Sequence, residues 1–154
     1  MIKLVPMTQE SFDRYMVTAL PAYAGEKMKA EDLSQEDAEK LAQDSFDRLL
    51  PQKLNTPGVF TYDVVETQNG QVIGALWYSR QGKSDKAFIY DIVVKPEHQG
   101  KGYGKATMLL AEEDAKKNGF KSIGLHVFGS NHRARALYEK LSYEITGLVM
   151  KKTL

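Results

Sequence analysis

The chain contains no cysteine, which excludes a disulfide framework, a thiolate nucleophile and a cysteine-based zinc site. An excess of charge of one sign is also missing: 21 Lys and Arg stand against 20 Asp and Glu, for a net charge of +1. No global field then favours nucleic acid or a membrane surface, and any anion must be held locally. Long apolar runs are absent too. Met1 to Val5 is apolar but broken by Lys3, which leaves no secretory h-region, and no stretch is long enough to span a bilayer. The cytoplasm is the expected location, with neither nucleic acid nor membrane as a partner. The lack of cysteine agrees with a reducing compartment without requiring one.

The chain does have 154 residues, 42% hydrophobic and 27% charged, the mix and length of one globular domain over 1–154 with a real core. Ile2 to Val5 reads as a first strand. Thr8 caps a helix with Phe12, Tyr15, Met16, Ala19 and Leu20 at helical spacing, and Pro21 and Gly25 weaken it near its end. Ser34 and Asp37 resemble a capping box for a second helix, which carries Ala38, Leu41, Ala42, Phe46 and Leu49 and stops at Pro51. Phe60 to Glu66 and Val72 to Ser79 are strands joined at Asn69-Gly70, a pair suited to a type I′ turn. Ala87 to Val94 is a third strand of this group, ended by Pro96. Gly102 to Asn118 is a helix, with Gly119 as its left-handed cap. Ser122 to Phe128 is a strand, Asn131 to about Leu141 a helix, and Tyr143 to Met150 a last strand. The stretch from Phe88 to Phe128 makes two parallel neighbours with a right-handed crossover, and the hairpin makes the earlier strands antiparallel. The fold class is therefore α/β (α+β), a mixed sheet with helices on it.

Gln99-Gly100-Lys101-Gly102-Tyr103-Gly104-Lys105 stands between a buried strand and a helix. Little side chain covers that loop, so its backbone N–H groups can converge on an anion at the positive end of the helix. Lys95, Lys101 and Lys105 add charge. A phosphate or pyrophosphate suits such a place. A Walker loop needs Gly-Lys-Ser/Thr after a four-residue spacer, which is absent. The spacing of Gly100, Gly102 and Gly104 is not that of a dinucleotide fingerprint.

These residues resemble the GNAT superfamily of N-acetyltransferases. Its motif Arg/Gln-x-x-Gly-x-Gly/Ala reads here Gln99-x-x-Gly102-x-Gly104, entered through Ile92-Val93-Val94-Lys95-Pro96. A second motif, Asn-x-x-Ala-x-x-Leu-Tyr-x-Lys-x-Gly-Phe, reads Asn131, Ala134, Leu137, Tyr138 and Lys140, with Ser142-Tyr143 in place of Gly-Phe. The likeness is closest from Phe88 to Met150. It implies a mostly antiparallel sheet with two splayed parallel central strands. Residues 87–141 would form the acetyl-CoA-binding core and 8–50 a variable helical region on the acceptor side. Ile92, Val93 and Val94 would pair with the pantetheine arm like an added strand, and the loop from Gln99 through Gly100, Lys101, Gly102, Tyr103 and Gly104 to Lys105 would take the pyrophosphate. Asn131 would bind the pantetheine or orient its helix. The resemblance implies acetyl-CoA as co-substrate, an amine acceptor and direct transfer with both bound. It allows a homodimer, which no residue fixes.

Acetyl transfer needs an amine relieved of a proton, donors for the developing oxyanion and a proton for the departing thiolate. Tyr138 suits the last need, or is a core aromatic of its helix; the motif favours the acid. The family resemblance places the oxyanion donor at a backbone N–H near Ile92 or Val93. For the base, His126 stands where several members carry a glutamate, and a structural histidine reads equally well. Asp91, Tyr90 and a relayed water are rivals, and alternation sets Tyr90 and Asp91 on opposite faces. His98 and His132 read as solvated. Trp77 or Tyr78 faces inward, leaving the other for the acceptor site. No His, Asp and Glu cluster has metal-ligand spacing, so no metal is expected. The acids between Glu31 and Asp47 read as a solvated helix face. A non-catalytic acyl-CoA-binding sensor or interaction domain is the alternative, and an unrelated nucleotide-phosphate domain a third.

Overall fold

The computed structural model describes all 154 residues. The chain runs β1 (Ile2–Pro6), α1 (Gln9–Glu31), α2 (Gln35–Leu49), β2 (Val59–Glu66), β3 (Val72–Arg80), β4 (Lys86–Val94), α3 (Tyr103–Lys117), β5 (Ser122–Leu125) and α4 (His132–Lys140). The five strands form one sheet in the order β1-β2-β3-β4-β5. The first four pair antiparallel, and β4 pairs with β5 in parallel. This is the expected mixed, mostly antiparallel sheet.

Alternating side chains divide the core between the two faces of the sheet. On one face Ile73, Leu76, Tyr78 and Ile89 pack with Met108, Ala111 and Ala115 of α3. On the other, Ala75 and Trp77 pack with Phe12, Tyr15 and Ala19 of α1 and Phe46 of α2. Trp77 and Tyr78 are thus both fully buried, on opposite faces, each in contact with a different helix layer. Asp114 of α3 ties that helix to the sheet by accepting from the hydroxyls of Tyr62 (2.6 Å) and Tyr78 (2.5 Å), while the Asn118 amide donates to Tyr78 Oη at 2.9 Å.

The helix starts follow the sequence. Thr8 and Ser11 exchange bonds as a capping box at α1, the Ser34 hydroxyl accepts from Asp37 N–H at α2, and Asn131 Oδ1 accepts from Ala134 N–H at α4. Four expectations about the elements fail. α1 does not weaken at Pro21 and Gly25 but runs on to Glu31. Proline frees the carbonyl four residues back, here on Val17, which is 73% exposed and so open to water. The Asn69-Gly70 turn is not type I′. Gly70 has a positive φ and Asn69 does not; the Asn69 side chain instead accepts from Gln71 N–H at 2.9 Å, and Gly70 N–H bonds to Glu66. β5 ends at Leu125, short of Phe128, because the chain there leaves β4. No strand forms over Tyr143–Met150; beyond Tyr143 the chain pairs with nothing.

Candidate functional site

β4 and β5 pair only from Lys86–Ser122 to Ile89–Leu125. β4 then continues from Tyr90 to Val94 with its β3-facing side paired and its other side open. The two central parallel strands therefore part, and a free strand edge lines the gap. Ile92, Val93 and Val94 form that edge.

At the end of β4 the turn Pro96–His98 leads into the glycine loop. The Gln99 side-chain amide donates to Val94 O at 2.9 Å and ties the loop to the strand end. Gly100 and Gly102 have φ values of 80° and 82°, a conformation that a Cβ resists. Gly102 opens α3, and none of the backbone N–H groups from Gly100 to Lys105 bonds to another group of the chain. Several free donors therefore stand in one loop at the positive end of a helix, an arrangement that fits a pyrophosphate. The guanidinium of Arg133, from α4, comes within 4.0 Å of where a Gly100 side chain would begin. Asn131, exposed beside it, caps α4.

The titratable groups gather where β4 meets α1, just before that edge. Opposite Trp77 of β3, the β4 register shifts by one residue at Tyr90. Such a bulge sets two successive side chains on one face. Tyr90 stacks on Trp77 with ring centres 5.1 Å apart, and Asp91 accepts from the Tyr15 hydroxyl at 2.5 Å. Both therefore face α1, against the simple alternation expected, while Ile92 returns to the α3 face. Burial holds the Asp91 carboxyl above the ordinary carboxylate range, partly countered by the bonds from Tyr15 and the Ile92 N–H. Tyr15 is pushed well up by its own burial, then by the charge of Asp91. The Tyr138 phenol is raised by burial first and by Asp91 second. Partial burial, then Asp91, raises Glu26 of α1 against the pull of Lys29.

The family model described as the acetyltransferase (GNAT) family matches residues 27–143. The chain belongs to the GNAT family. Over 155 aligned residues it is 35% identical to the uncharacterized N-acetyltransferase YycN of Bacillus subtilis, covering 99% of each chain. A crystal structure of YycN superposes with a TM-score of 0.93, covering 100% of this chain and 99% of that one at 35% identity. The Escherichia coli enzyme named [ribosomal protein bS18]-alanine N-acetyltransferase is 35% identical over 77 residues, 50% of this chain and 51% of that one.

Within this GNAT chain the structure brings together Asp91, Tyr138 and, unforeseen, Tyr15 and Glu26. His126 lies exposed just past β5 with its ring edge-on to Phe128, centres 4.9 Å apart. His132 is exposed as expected, but His98 is buried. The turn at Pro96 folds its ring beneath the loop, centre 6.4 Å from that of Tyr103, and neither ring nitrogen makes a hydrogen bond. Tyr15 was visible only as one apolar position of a helix. Arg133 lay unnoticed between two motif residues. No group of three or more His, Asp and Glu is placed to hold a metal ion.

Proposed function

We propose that this GNAT chain moves the acetyl group of acetyl-CoA directly to a primary amine of a small molecule, peptide or protein. The observation that carries the reading is the open row of N–H groups from Gly100 to Lys105 beside the unpaired edge of β4. Residues 87–141 hold the co-substrate, and the helices of 8–50 wall the acceptor side, since α1 reaches Asp91 through Tyr15. Acetyl-CoA, when bound, supplies an activated thioester carbonyl. The edge of Ile92 to Val94 holds its pantetheine amides as an added strand would, and the loop with Lys101, Lys105 and Arg133 holds the pyrophosphate.

Asp91 takes the proton from the acceptor ammonium. A carboxyl raised by burial is a better base than an exposed one. The freed amine nitrogen bonds to the acyl carbon as the carbon–sulfur bond breaks. Tyr138 gives its proton to the departing sulfur. Its raised pKa keeps that proton in place across the working range. His126, at the exposed end of β5, is the competing base, and an Asp91→Asn variant that keeps full activity would hand it the role.

Acetyl-CoA at a hundredfold excess over its Kd is expected to raise Tm by about 5–10 °C, since a ligand of the native state stabilises it. ATP is expected to leave Tm unchanged. A panel of amines is then expected to release free thiol. Absence of protection would remove the co-substrate. Protection without thiol release from any amine would make the protein a non-catalytic acyl-CoA-binding domain.

A further inference from the structure

Phe88 of β4 is a large aromatic residue on a strand with neighbours on both sides, yet it belongs to none of the buried clusters. Ala87 and Ile89 pack on the α3 face, so alternation sends Phe88 to the α1 face with Tyr90. There its ring meets that of Tyr90, centres 4.9 Å apart, and Tyr90 in turn stacks on the buried Trp77. Phe88 and Tyr90 are both half-buried. Together they make a floor of two rings that begins directly beside Asp91.

The residue across from Phe88 is Gly124, inside the four-residue strand β5. A glycine weakens a strand, and its presence there marks a bulge, a bend, another backbone close by, or a ligand close by. The pairing of β4 with β5 has no shift of register, and the φ of Gly124 is not positive. A Cβ at Gly124 would meet only the Phe88 ring, at 3.5 Å, an ordinary contact. Gly74 of β3 is the contrast, since a Cβ there would strike the Val93 carbonyl. The fold requires glycine at Gly74 but not at Gly124. Ile123 and Leu125, on either side of Gly124, turn to the α3 core. What the missing side chain does is leave the Phe88 ring bare towards β5.

On the acetyl transfer proposed above, the co-substrate fills the side of Asp91 that leads to Ile92–Val94 and the glycine loop. An acceptor whose nitrogen reaches Asp91 then extends the other way along β4, over Tyr90 and Phe88. About 10 Å of strand separates Asp91 from Phe88. We propose, resting on that reading, that the acceptor is an amine joined by a short alkyl chain to an aromatic ring, and that this ring lies on Tyr90 and Phe88 in the room left by Gly124. Aromatic rings attract one another beyond the area they bury, in offset or edge-on arrangements. Two tilted rings with an uncovered side offer such a partner, and a plain alkyl chain gains only the burial.

Thiol release from acetyl-CoA with phenethylamine, butylamine and putrescine tests this on the full chain. The kcat/KM for phenethylamine is expected to exceed that for butylamine by about tenfold, the scale of one aromatic pair. Gly124→Val places a branched side chain, well suited to a strand, over the Phe88 ring. It is expected to erase the preference by raising KM for phenethylamine, with Kd for acetyl-CoA unchanged. Phe88→Leu removes the ring, keeps an apolar side chain and is expected to erase the preference as well. Equal kcat/KM for phenethylamine and butylamine in the wild type would overturn the aromatic acceptor and leave acetyl transfer standing. So would a preference for putrescine, or a preference for phenethylamine that survives both substitutions. Thiol release from no amine at all would overturn the transfer reaction itself, and the acceptor with it.

Discussion

Tyr15 and Asp91 meet through one hydrogen bond that joins α1 to the bulged segment of β4. A donor to a carboxylate stabilises the charged form, so the bond holds the Asp91 pKa down against burial. Tyr15→Phe removes it, and the Asp91 pKa rises further. The acidic limb of the kcat/KM profile is then expected to move to higher pH by about one unit, the size of one lost charge-assisted bond. A lower Tm with an unmoved limb would leave Tyr15 a packing residue only. Tyr138→Phe acts on the other proton. It is expected to lower kcat by about 10²–10⁴-fold, the range of a lost general acid, with little change in Kd for acetyl-CoA; an unchanged kcat would take Tyr138 out of the reaction. Tyr138 stood out in the sequence because its spacing from Asn131 matches a motif. The common face of Tyr90 and Asp91 was not, because alternation has no means of registering a bulge. The bond from Tyr15 was equally hidden, since a tyrosine on an apolar helical stripe looks like any other core aromatic.

At the level of elements, legibility followed how local the determining interactions are. Helix starts were readable because a cap bonds within its own turn, as at Thr8, Ser34 and Asn131. The glycine loop was readable for the same reason: strand, loop and helix are consecutive. Strand ends were not. β5 stops at Leu125 because its pairing with β4 ends there, a fact about the pair of strands and not about Phe128. The strand expected at Tyr143–Met150 has the right residues and no edge to pair with inside the chain, and pairing makes a strand. α1 passes Pro21 because the carbonyl that loses its partner faces water. Local propensity treated that proline as a weak point near the helix end, but solvent on one side of the helix removed most of the penalty. What the elements position is a single gap, with the loop at one end and the Asp91 group beside it.

Across the whole molecule a net charge of +1 gives no long-range pull on a polyanion such as CoA. On the proposed function the attraction has to be assembled where the pyrophosphate would sit, and the fold offers groups from separate parts of the chain for it. Lys95, Lys101 and Lys105 come with the loop, whereas Arg133 arrives from α4, across the gap, and stands over Gly100. It is exposed and makes no ion pair or hydrogen bond within the chain, so its removal should leave the free protein as stable as before. Its contribution belongs to the bound state. Arg133→Ala is expected to raise Kd for CoA by about tenfold at low salt, the effect of one charge-assisted contact of roughly 1.5 kcal/mol. Because the site is open to solvent, that loss should shrink as ionic strength rises and the Debye length falls towards about 3 Å at 1 M. Calorimetric titration of the two proteins across a salt series separates the outcomes. A tenfold loss that does not vary with salt would mean that Arg133 shapes the loop by packing. No loss at any salt would leave the pyrophosphate to the backbone N–H groups and the loop lysines alone.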